Sequence, residues 1–182
     1  LALNPPEGES GVGTNPYYAV RFDEAVSNFV ANAGLLGQTN NIQFSESNEA
    51  VRYERAGTLP ANTAVTETLP TFSDHAGNAV IGSTTFTTGD GPDLASGSVV
   101  TTSVASGATG VAQNPVLVRA FSEPVDPVSV SDSGVYLYDT STNTNVPATL
   151  DLSADGRRVT LVPVEALAPG RQYYWYAFSL RD

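Results

Sequence analysis

The sequence predicts an all-β chain of two tandem Greek-key β-sandwiches, and three observations carry that prediction. The first is a repeat. Gly11, Val12, Asn15, Pro16, Phe22, Glu24 and Val26 recur as Gly110, Val111, Asn114, Pro115, Phe121, Glu123 and Val125 at an offset of 99 residues. Leu59 and Asp74 recur as Leu167 and Asp182 at an offset of 108, so the second copy is nine residues longer in its middle. The second observation is short alternating or Val/Thr-rich runs separated by turn residues, with weak helical periodicity throughout. The third is Leu167, Ala168, Pro169, Gly170 and Tyr173, which have the spacing of a tyrosine corner. In such a corner a tyrosine opening strand F bonds back to the preceding loop, which favours a Greek key over a meander barrel.

The elements follow in order. The boundaries are 1–89 for the first sandwich, 90–93 for a linker and 94–182 for the second. In the first copy, 25–33 offers at best a short helical turn. The residues matching the corner are Leu59, Pro60, Ala61, Asn62 and Val65, so the hydroxyl is missing and packing must hold that corner. Residues 75–89 contain the last strand, G. In the second copy, 99–104 and 115–121 read as strands A and B around the Gly107 to Gly110 turn. Residues 135–139 form a further strand. The run 148–163 alternates on both sides of Asp155-Gly156, a hairpin signal whose two central positions call for positive φ, with Leu150, Leu152, Val159 and Leu161 as core face. Residues 172–180 supply strand F, with Tyr173 and Trp175 on the core side and Tyr174 and Tyr176 outward. The second copy stops at Asp182, where its strand G should begin, and Leu1 aligns with Val100, so part of the first strand A is expected to be absent as well.

Composition sets limits. The chain has no cysteine, so neither disulfides nor thiolate metal sites are available and the sheets must stand on packing. The net charge is −11, and nucleic acid and anionic membrane surfaces, both of which need a cationic patch, are not expected partners. No apolar stretch approaches the ~20 residues of a membrane span, so no membrane insertion is expected. The absence of a signal peptide and of an initiating methionine points to an excised segment.

The stretches GATGVAQNPVLVRAFSEPVDPVSV and LSADGRRVTLVPVEALAPGRQYYW, with GVGTNPYYAVRFDEAV and FSDHAGNAVIGSTTFTTG in the first copy, closely resemble the bacterial Ig-like repeats of S-layer proteins, large surface adhesins and multidomain secreted enzymes. The resemblance covers nearly the whole chain. It implies tandem Ig-like (fibronectin III-like) sandwiches used as extracellular spacer or surface modules, with neighbouring domains of the same polypeptide as partners, and it carries no catalytic residues.

In such a sandwich the BC and FG loops sit at the pole where the chain enters. Asp90, Asp93, Glu123, Asp126 and Asp182 are therefore a candidate interdomain calcium site, because hard oxygen ligands from several loops are what calcium needs. Asp23, Glu24, Asp74 and Asn78 would form the matching polar cluster of the first copy. Neither has the spacing of an EF-hand loop. His75, the single histidine, reads as a surface loop residue, and no serine sits in a nucleophile elbow. Asp151 and Asp155 fall on a hairpin, where one faces solvent and the other makes the turn, rather than as a glycosidase pair. The outward tyrosines offer a sugar-stacking surface. The expected function is a stiff, non-catalytic spacer, with an adhesion module for a surface glycan or protein, or an accessory part of a secreted hydrolase, as the alternatives.

Overall fold

Short β-branched and aromatic runs cannot bury both faces alone, and here they are gathered into several sheets, antiparallel save for one parallel pair, around two separate cores. The computed structural model describes residues 2–30, 39–45, 47–69, 71–178 and 180–181. The chain divides into two compact units, Leu1–Ala95 and Ser96–Asp182.

The first unit contains β1 (Ala2–Asn4), β2 (Ser10–Val12), β3 (Tyr17–Arg21), β4 (Val26–Val30), β5 (Thr39–Phe44), β6 (Ala50–Arg55), β7 (Ala64–Thr68), β8 (Thr71–Asp74), β9 (Ala79–Val80) and β10 (Ser83–Thr88). One sheet has the order β1-β3-β6-β5, a second β2-β10-β7 and a third β4-β8-β9. Strand F is thus divided: β7 pairs with β10, and β8 with β4. Alternation sends Tyr18, Val20, Val51 and Tyr53 inward from β3 and β6 to meet Phe72 and Phe86 from the facing strands. The Tyr18 and Tyr53 rings stack at 5.2 Å. Residues 26–30, read as the start of a short helical turn, are instead strand β4: Val26 is β-branched and buried, and β8 supplies a ladder partner. The rest of that turn, 31–33, lies outside the described residues.

The corner of this unit is held by a hydroxyl after all. Thr88 at the end of β10 donates from Oγ1 to the Pro60 carbonyl at 2.6 Å and accepts from the Thr63 amide at 2.9 Å, while being 2 % exposed. Residues 90–93 are tied to the unit that precedes them. Gly91 accepts from the Thr14 amide, and the Asn15 side chain closes a two-way bond with the Asp93 backbone at 2.7 and 3.0 Å. This close approach explains Gly13, where a Cβ would lie 2.7 Å from that of Asp93.

The second unit contains β11 (Val99–Thr102), β12 (Leu117–Phe121), β13 (Val135–Asp139), β14 (Thr144–Val146), β15 (Ala148–Leu152), β16 (Arg158–Pro163) and β17 (Tyr173–Ala177), with one 3-10 turn at Pro127–Ser129. The sheets are β11-β12-β16-β15 and β14-β13-β17. Leu117, Val135, Leu137, Leu152, Val159 and Leu161 form the core, with Leu150, Tyr173 and Trp175 packed against it and partly buried. The tyrosine corner is formed: Tyr173 Oη accepts from the Ala168 amide at 3.0 Å. The Asp155-Gly156 turn differs from the expected form, because in this loop Gly156 alone has positive φ, at 69°. Asp155 is diverted by its own side chain, which accepts from Ser153 Oγ and from the Arg157 amide and builds an Asx-type turn.

Hydrogen bonding across β13 and β17 has a definite phase. Phe178 donates to Gly134 and Thr140 to Gln172, so the even-numbered residues of this stretch face β13. The main-chain groups of Tyr173, Trp175 and Ala177 therefore point to the other edge, where no strand pairs among the described residues. Arg119 of β12 reaches across to that edge and donates from Nη2 to the Trp175 carbonyl at 2.9 Å.

Candidate functional site: carboxylates and an aromatic face

Three buried carboxylates, Asp74, Asp126 and Asp139, are occupied in holding loops, and a fourth, Glu67, lies within β7. Asp126, 1 % exposed, follows the Asp-Pro pattern of a helix start and caps the 3-10 turn by accepting from the Val128 amide at 2.9 Å. Asp139, 5 % exposed, pairs with Arg171 at 2.8 Å and accepts from the Ser141 amide. The Arg171 guanidinium, bonded to its side chain, holds that carboxyl below the usual carboxylate range. Asp74 accepts from the side chain and then the backbone amide of Asn78, at 2.7 and 2.8 Å, and these bonds lower its pKa in the same way.

The candidate calcium ligands are found in separate settings. In the first unit Asp90 is exposed and accepts from the Asn62 side chain at 3.0 Å. Asp93 is also exposed, and its Oδ1 accepts from the Ala95 amide. In the second, Glu123 is half-buried beside the capped turn of Asp126, and Asp182 lies outside the described residues. Within either unit, no three histidine or carboxylate side chains among the described residues form a metal-holding group. Asp74 and Asn78 of the first-copy cluster do come together, while Asp23 and Glu24 are exposed. His75, Asp151 and Asp155 are exposed on loop or strand surface.

A different constellation appears on the outer face of β13 and β17. The register pairs Tyr136 with Tyr176 and Tyr138 with Tyr174, and Phe178 stands opposite Gly134. Five rings make one continuous cluster. Centroids lie 5.1 Å apart for Tyr136 and Tyr176, 6.4 Å for Tyr138 and Tyr176, 6.0 Å for Tyr174 and Tyr176, and 4.9 Å for Tyr176 and Phe178. The two ends are the most open, with Tyr174 46 % and Phe178 51 % exposed. Tyr138 Oη donates to Asn143 Oδ1 at 3.3 Å, and β14 places Asn145 in register with Tyr138. Sequence reasoning found the outward side of strand F but missed the contribution of β13. The signal was present, since the same alternation in Val135–Asp139 sets Tyr136 and Tyr138 on one face.

No curated protein matches the chain. Among solved structures, the crystal structure of titin domains z1z2 in complex with telethonin is similar at 11% identity and a TM-score of 0.26, with 100% of this chain and 93% of that chain covered. Residues 95–176, almost all of them in the second unit, match the family model described as the bacterial Ig-like domain.

Proposed function

We infer that the chain is a non-catalytic spacer within a larger secreted or cell-surface bacterial protein, extending or presenting its neighbouring domains. The observation that carries this reading is the bacterial Ig-like match over residues 95–176. It is supported by the chemistry of the units. Three of their buried carboxylates, Asp126, Asp139 and Asp74, cap turns and fix loops and are thereby committed to the fold. Among the described residues, no helix is long and apolar enough to cross a membrane.

The reading is tested by stretching the 182-residue chain between reference domains in a force spectrometer. A spacer shows two separate unfolding events, one per unit, because each has its own core. Extension without any resisting event, or hydrolytic turnover by the isolated chain, would overturn it.

A further inference from the structure

We propose that the outer face of β13 and β17, formed by Tyr136, Tyr138, Tyr174, Tyr176 and Phe178, is a binding site for a neutral glycan chain. The proposal goes beyond the spacer reading and stands if that reading fails.

Contiguous exposed aromatic surface is uncommon on a solvated sheet, where outward positions are ordinarily polar. Here it is concentrated at one place on a chain of net charge −11. Among the described residues of these strands, no charged side chain shares the face: Asn145, Tyr138 and Tyr174 form one row, Tyr136 and Tyr176 the next, and Gly134 with Phe178 the last. An uncharged surface gives a phosphate or a sulfated polymer no cation, and gives a basic peptide no carboxylate to pair with. What it offers is ring faces for the C–H surface of a pyranose, with phenol hydroxyls and carboxamides at the rim for its hydroxyls.

The size of the face selects the same occupant. Two five-residue strands and a three-residue one, at ~3.3 Å rise and ~4.8 Å spacing, span on the order of 250 Å². A stable protein partner takes about 800 Å² on each side. The aromatic face alone falls short of a stable protein interface, and it suits a short run of sugar rings laid along Tyr174, Tyr176 and Phe178. Opposite Phe178, a Cβ at Gly134 would lie 3.0 Å from the Ser129 carbonyl oxygen, so that end of the row is bounded by the 129–131 turn.

The test is affinity electrophoresis of the whole chain through gels containing hydroxyethyl-cellulose, glycol-chitin, laminarin, glucomannan or xylan, followed by calorimetry with the matching oligosaccharide. At least one neutral polymer should retard the chain. The double variant Tyr174→Ala, Phe178→Ala should lose about tenfold or more in affinity. Its near-ultraviolet spectrum around Trp175 should stay unchanged and its melting temperature should fall by no more than about 10 °C, since both side chains are about half exposed and outside the core. Ile81→Ala, an equally apolar exposed position in the first unit, should bind as the parent does. Lack of retardation in all five gels overturns the proposal, as does retardation that the double variant retains. Concentration-dependent self-association abolished by the double variant would overturn it in favour of a protein occupant.

Discussion

The guanidinium of Arg119 lies 4.3 Å from the centroid of the Trp175 indole and donates to the carbonyl of the same residue at 2.9 Å. One side chain thus joins the two sheets of the second unit by a cation–π contact and a charge-assisted bond. Burial pushes the arginine pKa down, yet a guanidinium stays charged at any ordinary pH. Replacing Arg119 with Met keeps the aliphatic stem and removes both contacts, which should cost about 2 kcal/mol and lower the second unit's melting temperature by on the order of 10 °C. Lysine should not rescue it, lacking the plane that stacks. Trp175 is the only tryptophan, so its fluorescence reads this unit alone.

The two corners are pinned by different hydroxyls, and the difference is measurable. Tyr173→Phe removes the acceptor for the Ala168 amide, a loss of about 1 kcal/mol in the second unit. Thr88→Val leaves the Pro60 carbonyl and the Thr63 amide without their shared partner in a buried setting, and about 2 kcal/mol should go from the first unit. In calorimetry each variant should shift one of two thermal transitions and leave the other in place. Equal shifts of both would show that the units unfold together.

Acid should weaken both units. Asp74 is held below its ordinary range by Asn78, Asp139 by Arg171, and Asp155 by the Ser153 hydroxyl and the Arg157 amide. A carboxyl with a depressed folded pKa adds stability that is fully present above its unfolded value of about 4, and that stability is lost as pH falls through the folded value. Melting temperatures should therefore be flat near neutrality and fall below about pH 4. Asp139→Asn should lower the second transition at neutral pH and flatten its acid slope, while leaving the first unchanged. Melting curves across that range, followed by fluorescence for the second unit and circular dichroism for both, check this.

What could be read from the sequence was what is written locally. Alternation located β15 and β16, Val/Thr richness located β11 and β12, a dense run of β-formers located β17, and the spacing from Leu167 to Tyr173 located a corner whose bond stays within seven residues of chain. The Thr88 pin escaped notice because donor and acceptor are 28 residues apart and meet only once the sandwich closes. Strand β4 escaped for a related reason: its partner β8 lies far along the chain, and tertiary pairing overrides a weak local preference. At Asp126 the metal reading competed with a plainer local signal. An aspartate followed by proline opens a turn, and the side chain is used there.

The segment 90–93 gives the last prediction, because its attachment depends on a missing side chain. Asn15 holds the Asp93 backbone from both sides, and Gly13 leaves the space in which Asp93 sits. A Cβ at Gly13 would lie 2.7 Å from the Asp93 Cβ and 2.8 Å from its amide nitrogen, distances that backbone atoms cannot keep. Gly13→Ala must therefore push Asp93 away and break the Asn15 pair, whereas the core around Tyr18 and Phe72 is untouched. The first unit should lose about 1 kcal/mol or less, since the bonds are exposed. Local opening should rise much more: amide exchange at Asp93 should speed by about tenfold or more, and limited proteolysis should cut within 90–95. Asn15→Ala should reproduce the effect by removing the other side of the contact. A stretch that exchanges no faster in either variant would mean that the Asn15 contact does not hold it, and the attachment of 90–93 to the first unit would have to come from the Thr14–Gly91 and Asn62–Asp90 bonds.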